Sequence, residues 1–387
     1  MKGAQKPFGR SMPWTRHWRK CRALAPAVTI FLYGCASPGR VDSSTDNLHN
    51  TLQTLAQQHH VCAVGLAVIK NRKLDAVETA SGCTPAAALD THSVFQAASL
   101  GKPVFAYAVL KLVEQGRLAL DTPLMHYLPQ GYKHRHQPLK AEPFDLVADS
   151  RIEAVTARMV LTHTSGLPNW ASGPLGFDAA PGTRWGYSGE GFVLLQRAVE
   201  ALTGEPLDRF MAAQVFQPLG MEHSSYVWND DLALKVVPGT KANGSPRTTL
   251  QLKQPIAAFS LYTSAEDYGK FLATVLNDAP LLQQLTASPV PVEPRLGISW
   301  GLGWGLETTR QGLYIWHWGN NTGYRAFVMA SLQTGDGFVM LTNSENGLEL
   351  AEPLAHQLVP DEHKLFQFSM LGGDVLTMLC KAVRICL

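Results

Sequence analysis

The sequence predicts an α/β protein of the α+β type: a mixed antiparallel sheet formed by both ends of the chain, flanked by helices, with a helical subdomain inserted. Two observations carry this expectation. Stretches with strand character cluster early, at residues 61–70 and 74–82, and late, at 297–307, 313–318, 325–332 and 337–341, while residues from about 103 to 260 mix helical periods with Pro- and Gly-rich loops. A hydrophobic content of 45% over 387 residues is enough to bury the core of one large domain.

Residues 1–35 read as an export signal. Lys2, Lys6, Arg10, Arg16, Arg19, Lys20 and Arg22 precede an apolar run over 23–34 that is too short for a transmembrane helix. Leu32-Tyr33-Gly34-Cys35 resembles the lipobox of bacterial lipoproteins, with Cys35 as the lipidated residue; an ordinary cleaved signal is the other reading. The expectation is an exported protein of the periplasm or cell envelope, held at the outer membrane by a lipid on Cys35. Elsewhere charge is sparse: 17% of residues, with 33 Lys and Arg against 31 Asp and Glu. Such a chain has no field of one sign to attract nucleic acid, which leaves a small molecule or a peptide as partner.

Residues 36–47 are polar and turn-rich and read as a tether, after which the folded domain is expected over 48–363. A helix over 48–60 leads into a hairpin with its turn at Asn71-Arg72-Lys73. That pairing sets Cys62 nearly opposite Cys83, which permits a disulfide; a one-residue slip would instead leave two half-buried thiols on opposite faces. A long helix is expected from Ser99 to Gln115, ended by Gly116. Residues 364–387 form a tail whose polar positions Asp374, Thr377, Lys381 and Arg384 mark an amphipathic helix, packed on the body or touching membrane.

Ser99-Leu100-Gly101-Lys102 opens the long helix and sets a hydroxyl and an amine one turn apart. A helix N-terminus stabilises negative charge, and a lysine whose pKa falls through burial can take the serine proton. Alone, the pattern reads better as an N-cap serine followed by an exposed lysine. Two further segments change that balance: Pro181 to Gly189, with Tyr187 on a turn before a helix, and His317-Trp318-Gly319-Asn320-Asn321 at the end of a strand.

Together with Leu161-Thr162-His163-Thr164-Ser165-Gly166-Leu167 and Gly301-Leu302-Gly303-Trp304-Gly305, these segments resemble the class C β-lactamase and penicillin-binding family of serine hydrolases over about 300 residues. The resemblance implies the β-lactamase/DD-peptidase fold. It makes Ser99 the nucleophile, Lys102 and Tyr187 its proton-handling partners, His317 and Gly319 parts of the substrate-binding strand, and the backbone N–H groups of Ser99 and Asn320 the oxyanion hole. It implies neither cofactor nor metal. Two departures stand out. Gly189 replaces an asparagine that binds the substrate's acylamide, and His317 replaces a lysine, weakening the positive partner for a substrate carboxylate. Both point away from efficient β-lactam hydrolysis and towards peptide-like or ester substrates, D-amino-acid peptides of the cell wall among them. A carboxylesterase is one alternative; a β-lactamase or a penicillin-binding module without turnover is another.

Other motifs carry less. Gly297-Ile298-Ser299-Trp300-Gly301 fits a nucleophile elbow in letters, but the residues after it read as strand. His134 and His136, or His59 and His60, lack a third ligand at useful spacing. His163 is expected to hold a loop through its hydrogen bonds; a place near the site is the other reading.

Overall fold

Period-two alternation divides the late strands between two apolar layers, and that division decides which side chains can reach the nucleophile. The structure, a computed structural model, describes residues 45–140, 143–171 and 173–371. The export signal with Cys35, most of the tether and the amphipathic pattern from Asp374 onward lie outside the described residues. Among the described residues no helix is long and apolar enough to cross a membrane.

The description opens in helix α1 (Thr45–Gln58), so the last three residues assigned to the tether already belong to a helix. Strands β1 (Val64–Lys70) and β2 (Lys73–Ala80) form the expected hairpin. Its turn is two residues, not three: Asn71 and Arg72 both take positive φ, 50° and 65°, and Lys73 pairs with Lys70. Consecutive positive φ angles match the twist of the flanking strands. Cys62 and Cys83, just beyond the paired residues, are joined as a disulfide with Cα atoms 4.6 Å apart.

The middle of the chain holds more strand than its sequence suggests. Strands β3 (Val94–Ala98) and β6 (Leu261–Ser264) pair with each other, as do β4 (Lys133–Arg135) and β5 (Phe144–Leu146). Runs this short show no period, and Lys133-His134-Arg135 has no apolar residue at all. Between them lie helices α2 (Gly101–Glu114), α3 (Ala157–Leu161) and α4 (Gly189–Thr203).

The late strands are β7 (Val290–Glu293), β8 (Ile298–Trp300), β9 (Gly305–Thr308), β10 (Leu313–Asn321), β11 (Tyr324–Ser331) and β12 (Gly337–Thr342). The single strand expected over 297–307 is therefore two. The break has a cause: Gly303 sits at φ 84°, and a Cβ there would stand 2.3 Å from that of Ala106 on α2. All eight strands of the main sheet run antiparallel in the order β2-β1-β12-β11-β10-β9-β8-β7, so the two ends of the chain meet where β1 pairs with β12.

Ile315, Val328, Ala330, Val339 and Leu341 join the layer that contains α2. Their neighbours Tyr314, Trp316, Phe327, Met329, Phe338 and Met340 join α1 and the helix Ala351–Leu358 on the opposite face. Leu365 and Phe368 pack into that second layer too, so the body extends past residue 363 into what reads as tail. In step with Ile315, the alternation aims His317 at the α2 side. Gly319 lets β10 close onto the strand that leads to Ser99, because a Cβ at 319 would lie 2.2 Å from the carbonyl oxygen of Ala97.

Gly319→Ala should therefore lower the unfolding free energy by about 1–3 kcal/mol, the range for an overpacked methyl, and slow acylation of Ser99 at the same time. Urea unfolding and active-site labelling check the two effects together.

Candidate active site

Ser99 occupies the turn between β3 and α2. Ala98 before it takes a positive φ of 51°, and the Lys102 N–H donates to the Ser99 carbonyl at 3.0 Å. Helix α2 proper begins at Gly101, two residues later than its pattern suggests, with Leu100 in the capping position and no side-chain cap. The first N–H groups of α2 thus lie next to Ser99 without a side chain to neutralise them, the positive end of a helix beside a nucleophile. Two buried phenols hold this end still: Tyr226 donates to the Gly101 carbonyl at 2.6 Å and Tyr268 to that of Leu100 at 3.0 Å.

The offset of three residues brings Lys102 Nζ within 3.0 Å of Ser99 Oγ. The lysine is 1% exposed and also donates to the Ala258 carbonyl at 2.7 Å. Its amine lies 4.8 Å from the centre of the Tyr187 ring. Burial alone brings its pKa down to about 7. Near neutral pH a large fraction of Lys102 is then the free amine, which can accept the hydroxyl proton of Ser99.

Tyr187 stands just ahead of α4, whose cap is Ser188; the Ser188 hydroxyl accepts the Gly191 N–H at 2.9 Å. The phenol oxygen is buried without a direct hydrogen-bond partner. Burial raises its pKa above the ordinary value, and the neighbouring Ser99 hydroxyl acts weakly the other way without being aligned as a bond. Tyr187 is therefore a neutral phenol in the resting site.

His317 lies deeper than its motif implies. The sequence suggests a partly charged histidine and so a weakened partner for a substrate carboxylate, and its ring is fully buried. Burial first, and then the charge of Lys102, bring its pKa down to about 3. Its Nδ1–H donates to the Trp318 carbonyl at 2.8 Å, which leaves Nε2 as a buried acceptor without a partner. A neutral ring beneath the cleft floor cannot pair with an anion in the cleft.

A cleft of about 530 Å³ opens over Ser99 and Tyr187, with Asn320 at its edge. Leu139, Trp170, Phe259, Trp318 and Met370 supply most of the wall, and none of the described residues lining it carries a formal charge. Arg325, opposite Asn320 in the ladder, donates instead to the carbonyls of Asn321 and Tyr324, both at 2.9 Å. Trp170 fills the space that Gly189 vacates: a Cβ at 189 would stand 2.6 Å from two ring carbons of Trp170. Trp170 is held edge-on to Phe259, centroids 5.3 Å apart.

The chemistry-bearing side chains Ser99, Lys102, Tyr187 and His317 thus converge, and Gly319 and Asn320 border them. Sequence reasoning did not find the Ala258 carbonyl, Phe259 or Met370, which no motif marks. His163, expected to tie a loop, accepts the Ser188 N–H at its Nδ1 (3.1 Å) and lies with its ring centroid 4.4 Å from that of Tyr187. Burial, Lys102 and His317 hold it well below the usual histidine pKa, so it is neutral. Ser299 of the elbow-like segment lies within β8, without the helix an elbow needs. His134 and His136 pair with Glu190 and Asp145, at 3.2 and 2.5 Å, and among the described residues no group of three or more potential ligands could hold a metal ion.

A buried lysine against a serine at a helix N-terminus, with a tyrosine across the cleft, defines a serine hydrolase of the Ser-Lys-Tyr kind. The β-lactamase family profile matches residues 48–359, and the chain belongs to that family. It is 28% identical over 293 residues to penicillin-binding protein 4 of Amycolatopsis lactamdurans, covering 65% of this chain and 73% of that protein. It is 35% identical over 167 residues to esterase EstB of Burkholderia gladioli, covering 35% of this chain and only 39% of the esterase. The fold matches that of the D-alanine carboxypeptidase AmpC from Burkholderia cenocepacia with a TM-score of 0.66 at 18% identity, over 81% of this chain and all of that one.

Gly189→Ala is expected to push Trp170 aside and raise KM for a bulky aryl ester by about tenfold, the scale of one misfitted methylene. Steady-state kinetics should show the effect shrinking without vanishing when Trp170→Ala is added, since the ring clash is then gone while the Asn169 carbonyl oxygen still stands 2.8 Å from the added Cβ.

Proposed function

We propose that this protein is an exported hydrolase that cleaves uncharged esters through an acyl-enzyme on Ser99, in preference to peptides ending in a free carboxylate. The observation that carries this reading is the buried amine 3.0 Å from Ser99 under a cleft whose described lining residues carry no formal charge. Neutral Lys102 takes the Ser99 proton as Oγ attacks the ester carbonyl. The backbone N–H groups of Ser99 and Asn320 receive the oxyanion, where charge develops in a dry, aromatic setting. Tyr187, kept protonated by burial, gives its proton to the departing alcohol while the Lys102 ammonium replaces it. The same groups in reverse deliver water to the acyl-enzyme.

Substrate choice follows from the cleft. A C-terminal D-alanine presents a carboxylate, and neither His317 nor Arg325 offers it a cation. A hydrogen bond to a charged group contributes about 1.5–3 kcal/mol, so its absence costs such a peptide more than tenfold. The relatives that are named as a penicillin-binding protein and as an esterase both fit the shared acylation chemistry. The basic, apolar front of the chain and Cys35 support placement in the cell envelope through a lipid anchor.

Intact mass spectrometry with a fluorophosphonate is expected to show one adduct on the wild type and none on Ser99→Ala, with Lys102→Ala slowed by about a hundredfold or more. Labelling of Ser99→Ala at the wild-type rate would rule the site out. For a neutral ester, kcat/KM should climb tenfold per pH unit up to about 7 and level above it, because only deprotonated Lys102 is a base. p-Nitrophenyl butyrate should exceed a diacyl-Lys-D-Ala-D-Ala peptide in kcat/KM by at least about tenfold; the reverse ranking would favour the peptidase.

A further inference from the structure

One buried histidine grips three consecutive residues of the candidate site. The His163 carbonyl accepts the Gly186 N–H at 2.8 Å, and its Nδ1 accepts the Ser188 N–H at 3.1 Å. Between those two anchors the imidazole lies against the ring of Tyr187, centroids 4.4 Å apart and planes inclined by 35°. The turn that carries Tyr187 is thus tied before the tyrosine, after it and across its face by a single side chain and its own backbone.

Two further features mark this as a built arrangement. His163 has a positive φ of 56°, a conformation that non-glycine residues adopt rarely and keep where the surroundings impose it. That conformation follows directly on helix α3 and turns the chain so that carbonyl and ring both reach the 186–188 turn. Because Nδ1 accepts, the ring proton sits on Nε2, and that N–H is buried without a partner. The Tyr187 hydroxyl and His317 Nε2 are likewise buried and unpartnered. Among the described residues no hydrogen bond of good geometry fixes where the phenol oxygen points, so its aim depends on the ring and the turn.

We propose that His163 is the positioning residue for Tyr187: by holding the 186–188 turn at both ends and packing on the phenol, it fixes the hydroxyl in line between Ser99 and Lys102 and the leaving group. This rests on Tyr187 transferring a proton, and it adds which residue makes that transfer geometrically possible. A displaced donor still allows substrate to bind. The deficit should then fall on kcat and leave KM nearly unchanged.

The test is a double-mutant cycle on the full chain with a p-nitrophenyl ester, using His163→Leu, His163→Asn, Tyr187→Phe and the two double variants. Asparagine tolerates positive φ and can present Oδ1 to the Ser188 N–H; leucine does neither. We expect His163→Leu to lose roughly tenfold to a hundredfold in kcat, His163→Asn to recover most of it, and neither change to lower the rate further once Tyr187 is phenylalanine. Additive losses in the two double variants, or a wild-type kcat for His163→Leu, overturn the proposal for His163 alone. A wild-type rate for Tyr187→Phe overturns both this proposal and the reading it rests on. Should the leucine variant not fold, the asparagine variant decides: a loss in kcat that disappears once Tyr187 is phenylalanine supports the positioning role, and a loss of the same size in the Tyr187→Phe background, or no loss at all, overturns it.

Discussion

The amine of Lys102 is out of water, and among the described residues only the Ala258 carbonyl and the Ser99 hydroxyl, at 2.7 and 3.0 Å, receive its protons. An ammonium there would give up its hydration without an acid to compensate, so burial favours the neutral form and turns a side chain that is ordinarily inert as a base into one matched to neutral pH. That one constraint organises the neighbourhood. It requires a sealed floor, which His163, Tyr187 and His317 supply with their rings, and it depresses both histidines further through the residual charge on the lysine. A site that depends on a desolvated amine cannot also keep a charged imidazole beside it, and the burial of His317 follows from the same requirement.

The scaffold serves this cluster through two close approaches of backbone. Gly319 lets β10 reach the Ala97 carbonyl, and Gly303 lets the loop between β8 and β9 rest on Ala106 of α2. The nucleophile is therefore wedged between the sheet and its central helix, with strands from both ends of the chain completing the sheet around it. Tyr187 comes from a separate turn in the middle of the chain, which is why its placement needs ties of its own. Trp170 closes the side that Gly189 leaves open, converting a lost side-chain amide into aromatic wall.

Much of this was legible before the fold was known, and the part that was not has physical causes. Ser99, Lys102 and Tyr187 stand in local patterns that a reader can match, and the long strands β10, β11 and β12 are apolar over enough residues to declare themselves. Strands β3 to β6 have three to five residues each and sit in a region dominated by helix and loop, so tertiary pairing rather than pattern defines them. The division of 297–307 into two strands depends on the contact of Gly303 with α2, which is remote in sequence. The charge of His317 could not be read from its motif, because exposure decides it and exposure is a property of the closed core. Leu365, Phe368 and Met370 were assigned to a tail since their partners lie far back along the chain.

The central claim is the state of one amine, and it can be observed directly. With lysine side chains labelled with carbon-13 at Cε, the Lys102 resonance, assigned through Lys102→Arg, should titrate with a midpoint near 7, while exposed lysines titrate near 10.4. A Lys102 that remains charged up to pH 10 would contradict the account, since the free amine that takes the Ser99 proton would then be absent.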